Sequence, residues 1–330
     1  MAVSIREVAQ RAGVSIGTVS NVLNRPDAVA PATVDRVRAA VDELGYVRND
    51  AARQLRAGRS HTAGLVVLDS ANPFYAELSR GAEDEAERHG LSVLFGNSGE
   101  LARREATHLE LFERQRVWGV LVSPVGNDLD HLIRLSERGI PVVLVDRAAP
   151  AGRLSSVASD DELGGYLAVS HLLERGRRRI AYVAGAAELH QVADRLAGAE
   201  RAVAEVDGAV LEVVTRGGLT VLEGRAAGHE IVSRPESDRP DAIFAANDLL
   251  AMGILQAAVM EGSVRVPDDI ALVGYDDIDF ASSAVVPFTS IRQSARLMGE
   301  AAMRLLAEPP DEPQQVRFAP ELIVRASTGG

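Results

Sequence analysis

The chain contains no cysteine and no lysine, and no apolar run approaches the roughly 20 residues needed to cross a bilayer. Without cysteine it has no disulfides, thiolate nucleophiles or zinc ribbons. Without lysine it lacks the P-loop lysine, a Schiff-base lysine and the catalytic lysine of protein kinases. Its first residues, MAVSIREVAQ, lack the apolar segment of a secretory signal. We therefore expect a cytoplasmic protein with no membrane partner.

Enzyme signatures are absent as well. The sequence has no GxGxxG, HExxH or P-loop pattern, and its seven histidines are scattered along the chain. No group of residues therefore has the spacing that a nucleophile, a general base or a metal site requires. We expect a protein that is not an enzyme, with no catalytic residues, no cofactor and no metal ligands.

Charge is divided unevenly along the chain. All 35 basic residues other than histidine are arginine, and the formal net charge is −12. Residues 1–60 carry nine arginines and six acids, a net +3, whereas the other 270 residues carry 26 arginines and 41 acids, a net −15. A small basic head on a large acidic body predicts that the head alone meets an anionic partner.

The head has the pattern of three short helices. Ser4 and Glu7 form a capping box ahead of an apolar stripe that ends at Gly13. Ser15 is suited to cap a second helix, and the short connection between the two predicts a steep crossing. A third helix is predicted over 31–44. The pattern is that of a helix-turn-helix, with a purely structural three-helix domain as the alternative.

The head resembles the LacI/GalR family of bacterial transcription regulators. The matching segments are IREVAQRAGVSIGTVSNVLN, residues 5–24, and VRAAVDELGYVRNDAARQLRAGRS, residues 37–60. The resemblance implies that the second helix lies in the major groove of operator DNA. It also implies a hinge helix over 49–58 that pairs with a second copy in the minor groove, where Leu55 would wedge into a base step.

The same resemblance assigns the DNA contacts. Ile16, Gly17 and Asn21 stand at the positions that read bases, and the amide of Asn21 suits adenine. Gly17 either lets the backbone approach the groove or leaves space for a thymine methyl beside Ile16. Hydroxyls and arginines, Arg6 among them, would hold phosphates. The expected DNA-binding set is Ser15, Ile16, Gly17, Thr18, Ser20, Asn21, Arg25, Arg53, Leu55 and Arg56.

From Thr62 onward, apolar strand-like runs alternate with amphipathic helices. The runs are TAGLVVLD, LSVLFGN, WGVLVSP and PVVLVD, and then RRIAYVAG, AVLEVV, DAIFAAND and IALVGYD. Helices are predicted between the first runs at 74–89, 101–115 and 128–138. This alternation predicts parallel sheets flanked by helices, and its restart predicts two Rossmann-like subdomains facing a cleft. The family resemblance implies the same periplasmic-binding-protein-like core.

The predicted fold is thus an all-α helix-turn-helix headpiece joined to an α/β core. The family fold implies three crossings between subdomains, near 157–160, 287–291 and 318–321. The tail ELIVRASTGG lacks the leucine heptads of a tetramerisation helix, which favours a homodimer. The predicted divisions are a headpiece at 1–48, a hinge and linker at 49–60, and a core at 61–330, with an N-subdomain at about 61–158 and 290–318 and a C-subdomain at about 159–289 and 319–330.

Ligands bind doubly wound sheets at the carboxyl ends of their strands. Polar residues that follow the apolar runs are Asp69, Ser70, Asn72, Asn97, Ser123, Asp146, Arg147, Arg195, Asn247, Asp248 and Asp276. Amides, carboxylates, a guanidinium and an aromatic face predict a sugar or sugar phosphate, although a purine uses the same groups. By position in its motifs, the resemblance places effector contacts at Asn72, Phe74, Arg147, Arg195, Asn247, Asp276 and Gln293.

One departure from the family concerns Asp160 and Asp161, where an Asp-Asn pair is commoner. We expect both carboxylates to stabilise the start of a helix. The function predicted is a ligand-responsive transcriptional regulator, usually a repressor in this family, that binds a palindromic operator as a dimer and a small-molecule effector in its core. The alternative is a cytoplasmic solute-binding protein without specific DNA function, which the additional head argues against.

Overall fold

The computed structural model describes residues 3–46, 60–150, 152–185, 189–262 and 264–329. The chain divides into two compact units, residues 1–59 and 60–330. Each unit has an apolar core of its own. The predicted hinge helix over 49–58, with Arg53, Leu55 and Arg56, lies outside the described residues.

The first unit contains the three predicted helices. They are α1 (Ile5–Ala12), α2 (Ile16–Asn24) and α3 (Pro31–Leu44), with a short 3-10 turn at Pro26–Ala28. Val8, Val19 and Val37, one from each helix, are completely buried at the centre. Ala9 and Ala12 are also buried, and their small size lets α1 pack closely with its neighbours.

Capping residues set the ends of α1 and α2. The Ser4 amide donates to the Glu7 carboxylate at 2.7 Å, which completes the predicted capping box. Gly13 ends α1 in the left-handed region with a φ of 64°, where a side chain would be strained. Ser15 Oγ then accepts the Thr18 amide at 3.0 Å and starts α2. The helix-turn-helix geometry thus follows from residues adjacent in sequence.

The second unit contains two six-stranded sheets. The first has the strand order β11-β5-β4-β3-β1-β2 and the second has the order β12-β10-β9-β8-β6-β7. Neighbouring strands pair in parallel except β10 and β12. The strands are β1 (Thr62–Val67), β2 (Ser92–Asn97), β3 (Val120–Val122), β4 (Val142–Val145), β5 (Ser155–Ser159), β6 (Arg179–Ala184), β7 (Val210–Thr215), β8 (Ala242–Ala245), β9 (Ala271–Asp276), β10 (Thr289–Arg292), β11 (Gln315–Phe318) and β12 (Glu321–Ile323).

Helices connect these strands, and the predictions at 74–89, 101–115 and 128–138 agree with the first three to within two residues. β5, β10, β11 and β12 were missed, because they are short and carry serine, threonine, glutamine or charged side chains instead of an apolar run. The helices are α4 (Pro73–Arg88), α5 (Ala102–Arg114), α6 (Asp130–Glu137), α7 (Asp161–Glu174), α8 (His190–Ala204), α9 (Val221–Val232), α10 (Asp248–Glu261), α11 (Asp279–Ser283) and α12 (Ala295–Ala307).

The chain passes three times between the two sheets. It leaves the first sheet after β5, returns after β10 to pack α12 on α4, and leaves again between β11 and β12. The subdomain bounds stay a prediction, and the second passage lies after Arg292, directly beyond the expected crossing near 287–291. The physical reason is that Thr289–Arg292 still pairs with β9 in the second sheet.

Helices α7 and α8 approach to backbone contact. A Cβ on Gly165 would lie 2.0 Å from the Arg195 carbonyl oxygen, and one on Gly198 would lie 1.9 Å from the Glu162 carbonyl oxygen. Any larger residue at either position would have to separate the helices. This close packing brings the first turn of α7, including Asp161, beside Arg195 of α8.

Gly165→Ala is expected to lower the free energy of unfolding of the core by about 1–3 kcal/mol, because the added methyl overpacks the α7–α8 contact. Gly218→Ala is the matched control, since the nearest atom to its added Cβ lies 4.0 Å away. The control should change stability by no more than about 0.5 kcal/mol. Urea denaturation measures both, and equal effects would contradict the packing account.

Candidate functional site

One face of α2 is exposed. Helical spacing places Gly17 and Asn21 on the side opposite the buried Val19, with Ile16 and Ser20 along the edge of that side. The side chain of Ile16 is 44% exposed although it is apolar, and Gly17 and Asn21 are exposed beside it. The face therefore offers an aliphatic surface, a gap and an amide to a partner.

The other predicted DNA contacts in the described headpiece flank this face. Thr18 Oγ1 lies 2.9 Å from Ser15 Oγ, so both hydroxyls also take part in the cap of α2. Ser20 Oγ accepts from the Asn24 amide at 3.2 Å, and Arg25 is exposed directly after the helix. These positions suit phosphate contacts, which orient a protein on DNA without reading sequence.

The net positive charge of the head is concentrated after its three helices in sequence. Residues 3–46 contain five arginines and five acids, which cancel. Residues 47–59 contain four arginines and one acid, a net +3. The net positive charge of the head therefore comes from residues 47–59, which lie between the third helix and the core in sequence.

The core contains a small cavity of about 30 Å³ at the carboxyl ends of strands from both sheets. Six of the seven predicted effector contacts line it, and their role as contacts stays a prediction. Additional lining comes from residues that the resemblance did not assign. The lining residues are Leu68, Asp69, Asn72, Phe74, Tyr75, Glu100, Asp146, Leu189, Gln191, Val192, Arg195, Leu219, Asn247, Asp276 and Gln293.

Asp276 joins both sides of the cleft. Its Oδ2 accepts from Asn72 Nδ2 at 3.0 Å, and its Oδ1 accepts from Gln293 Nε2 at 2.8 Å. Asn72 precedes α4 in the first subdomain, and its Oδ1 also accepts the Phe74 amide at 3.0 Å. Asn72 is thus both a helix cap and a cross-cleft contact, and its role as an effector contact stays a prediction.

Asp146, at the end of β4, forms the second bridge across the cleft. Its Oδ2 accepts from the Tyr75 hydroxyl at 2.9 Å and from Gln191 Nε2 at 2.6 Å. Tyr75 belongs to the first subdomain and Gln191 to the second. In this structure two direct hydrogen bonds, Asn72–Asp276 and Gln191–Asp146, therefore close the cleft.

Arg195 is held in a buried ion pair with Asp161. Its Nε donates to Asp161 Oδ1 at 2.7 Å, and its Nη1 donates to the Ala246 carbonyl at 2.7 Å. The guanidinium carbon also lies 3.6 Å from the centre of the Tyr275 ring. Burial lowers the pKa of Arg195, but Asp161 and the neighbouring acidic groups outweigh that effect and hold the pKa well above its usual range.

The expectation that both Asp160 and Asp161 serve as capping residues is half right. Asp160 caps α7, with its Oδ1 accepting the Leu163 amide at 3.1 Å. Asp161 instead points its carboxylate at Arg195, and its side chain is 6% exposed. The difference arises because α7 and α8 pack closely. This packing places the Arg195 guanidinium, 34 positions later in the sequence, beside Asp161.

Asn247 and Asp248 lie at the start of α10 and have different environments. Asn247 caps the helix by accepting the Leu250 amide at 2.9 Å, and its Nδ2 donates to the Leu219 carbonyl at 3.0 Å. Asp248 is fully buried and does not line the cavity. It accepts from the Ser290 hydroxyl at 2.7 Å, and burial raises its pKa. Asp248 therefore stabilises the fold behind the cleft.

Arg147 is not among the residues that line the cavity. Its Nη1 donates to the Gly126 carbonyl, and the side chain is partly buried. Burial lowers the pKa of this guanidinium and is the largest effect. Asp194 and Glu105 raise the same pKa, but by less. In this structure Arg147 therefore donates to a loop carbonyl and does not line the cavity.

Sequence reasoning could have found two of the unassigned lining residues. Tyr75 lies three positions after Asn72, and Gln191 lies four positions before Arg195, so helical spacing places each pair on one face. Asp146 was a candidate from its position at the end of a strand but not from the motif. Its pairing with Gln191 depends on subdomain closure, which no local pattern reports.

Backbone strain and perturbed pKa values coincide at this cleft. Asp146 and Asp276 adopt positive φ values of 58° and 107°, which are costly for residues with a side chain. Burial, followed by repulsion from Asp161, raises the pKa of Asp146 to about 7. Burial also raises the pKa of Asp276. Strained, buried carboxylates in a cleft are typical of ligand sites.

A second cavity of about 360 Å³ lies beside the cleft and shares Phe74, Asp276 and Gln293 with it. In the parts of the chain that the structure describes, no helix is long and apolar enough to span a membrane. The same residues contain no group of three or more histidines and acids arranged to hold a metal ion.

Comparison with known proteins identifies the family. Residues 4–49 match the model of the bacterial regulatory proteins of the lacI family, and residues 169–328 match a periplasmic binding protein-like domain. The HTH-type transcriptional repressor PurR of Aliivibrio fischeri is 33% identical over 332 residues, 98% of each chain. The chain belongs to the LacI family.

Two further comparisons extend along nearly all of the LacI-family chain. The ribose operon repressor of Bacillus subtilis is 36% identical over 306 residues, 92% of this chain and 90% of that one. The crystal structure of the lac repressor dimer bound to operator and an anti-inducer superposes with a TM-score of 0.84, at 27% identity over 99% of both chains. The predicted fold is confirmed, and the protein is a LacI-family DNA-binding transcriptional regulator.

The raised pKa of Asp146 predicts a pH-dependent contribution to stability. The folded state binds this proton more tightly than the unfolded chain, whose pKa is near the ordinary 3.8, so the free energy of unfolding falls as pH rises towards about 7. Asp146→Asn removes the titration. The variant should therefore gain about 2 kcal/mol relative to wild type between about pH 5 and pH 8.

Urea denaturation at the two pH values measures this gain. Asp268→Asn, which removes an exposed carboxylate of the same unit, is the control and should show no such gain. A pH-independent difference between wild type and Asp146→Asn would contradict a raised pKa at Asp146.

Proposed function

We propose that the protein is a homodimeric transcriptional repressor of the bacterial cytoplasm whose affinity for a palindromic operator is controlled by a small polar effector, sugar-like in its chemistry. The observation that carries this proposal is the pairing of an exposed, uncharged α2 face with a buried polar cleft closed by hydrogen bonds between two subdomains. One unit is suited to read a duplex and the other to enclose a ligand.

Three features of the headpiece support operator reading. The exposed face of α2 carries Ile16, Gly17 and Asn21, which can contact a thymine methyl, leave space and bond adenine respectively. The net +3 of residues 47–59 supplies affinity for phosphates without base preference. A dimer with two-fold symmetry would place two such faces on the two halves of a palindrome.

The cleft supports control by a ligand. Asn72–Asp276 and Gln191–Asp146 connect the two subdomains directly, so a ligand between them must replace or rearrange these bonds. The three chain passages between the sheets allow the subdomains to rotate as bodies. An effector then changes operator affinity only through its different affinities for the two arrangements.

Asn21→Ala should relax operator specificity at one base pair in each half-site, because a bidentate amide–adenine contact contributes about 1–3 kcal/mol of discrimination. Duplexes selected from a random pool by the wild type supply the operator and its single-base variants for fluorescence anisotropy. Asn24→Ala is the control, since the Asn24 amide donates within α2 to the Ser20 carbonyl at 2.7 Å. A uniform loss of affinity for all duplexes would assign Asn21 to phosphate binding.

Asp276→Ala should abolish the effect of ligand on operator binding and leave operator affinity itself intact, because the carboxylate lies in the cleft and not in the headpiece. A thermal-shift panel of sugars, sugar phosphates and purines identifies the ligand, which at a hundredfold excess over Kd stabilises the native state by about 2.7 kcal/mol. The exposed Asp268→Ala is the control. An unchanged response in Asp276→Ala would exclude this cleft as the effector site.

A further inference from the structure

The cavity is strongly acidic. Four carboxylic acids line it, Asp69, Glu100, Asp146 and Asp276, against a single guanidinium, that of Arg195. The pKa of Glu100 is raised by burial and then by Asp69, and repulsion from Asp161 contributes to the raised pKa of Asp146. The described lining therefore offers an anion four carboxyl groups and one cationic side chain.

Among the described residues that line the cavity, Arg195 is the one cation that could hold an anion, and its charge is already compensated. Asp161 contacts Nε at 2.7 Å, and both side chains are at most 6% exposed. Ala246 accepts from Nη1, and the Tyr275 ring covers one face of the guanidinium. Asp161 itself is not among the residues that line the cavity, so it acts on a ligand without contacting it.

Two buried oxygens of the cleft lack a partner in the protein. Asp146 Oδ1 and Gln293 Oε1 are buried and have no hydrogen-bond partner within the described part of the chain. Asp146 is 3% exposed and Gln293 is 6% exposed, and both residues line the cavity. Buried polar atoms that lack a partner are costly, so a ligand that hydrogen-bonds to both atoms gains stability from each bond.

We propose that Asp161 sets the charge class of the effector: by neutralising Arg195 it makes the cleft a site for an uncharged, polyhydroxylated ligand and excludes phosphate esters and carboxylates. A hydroxyl group both donates and accepts, so it pairs with Gln293 Oε1, with Asp146 Oδ1 in either protonation state, and with the remaining N–H groups of Arg195. That the ligand acts as an effector rests on the proposed function. The selectivity for uncharged ligands is a property of the cleft itself.

The test compares Asp161→Asn with Asp160→Asn in the full-length protein. The amide at 161 keeps an oxygen that accepts from Arg195 Nε but removes the compensating charge. The control removes the same charge one position earlier, where an asparagine still caps α7. Isothermal titration uses inorganic sulfate, D-ribose with ribose 5-phosphate, and D-glucose with glucose 6-phosphate.

In the wild type, whichever sugar binds should do so at least tenfold more tightly than its phosphate ester, and sulfate should not bind with a submillimolar Kd. Asp161→Asn should bind sulfate at least tenfold more tightly than Asp160→Asn, which should match the wild type. Tighter binding of an ester than of its parent sugar by the wild type would overturn the proposal, as would equal sulfate affinities of the two variants.

The outcomes separate this proposal from the proposed function. If Asp161→Asn fails to fold, the wild-type comparison of esters with parent sugars and its sulfate titration still decide the charge class. If no compound changes operator binding, control by a ligand fails, and the sulfate affinities of the two variants still decide whether Asp161 excludes anions.

Discussion

The buried ion pair between Arg195 and Asp161 constrains much of the second subdomain. Neither charge can lose its partner inside the protein without a large desolvation cost, so α7 and α8 must stay in contact along their glycines. The same guanidinium binds the Ala246 carbonyl after β8 and covers Tyr275 of β9. One side chain therefore holds two helices and two strand ends in register around the cleft.

The contacts across the cleft are of a different kind. Two hydrogen bonds, Asn72–Asp276 and Gln191–Asp146, connect the subdomains at this level, and a ligand can replace both. The ion pair fixes one side of the cleft, whereas the hydrogen bonds between the two sides can be exchanged. This combination suits a site that recognises a ligand and changes its arrangement when the ligand binds. The strained backbone at Asp146 and Asp276 fixes the direction in which their carboxylates leave the strand ends.

The parts of the fold that local chemistry determines could be predicted from the sequence. Ser4, Gly13 and Ser15 mark the headpiece helices by capping, and long apolar runs mark eight of the strands. Motifs located six lining residues of the cleft. The rest depends on tertiary approach: β10 and β11 are polar and pair only within assembled sheets, and Asp161 resembles a capping residue until α8 packs beside it.

The central claim is that the first unit reads DNA and the second binds the effector. The most direct measurement compares residues 60–330 with the full chain, using anisotropy on duplexes selected by the full chain and thermal shift with a cleft ligand. We predict that the shortened chain loses specific duplex binding and keeps the same ligand-induced shift. Specific duplex binding by residues 60–330, or a folded fragment with no ligand response, would contradict the account.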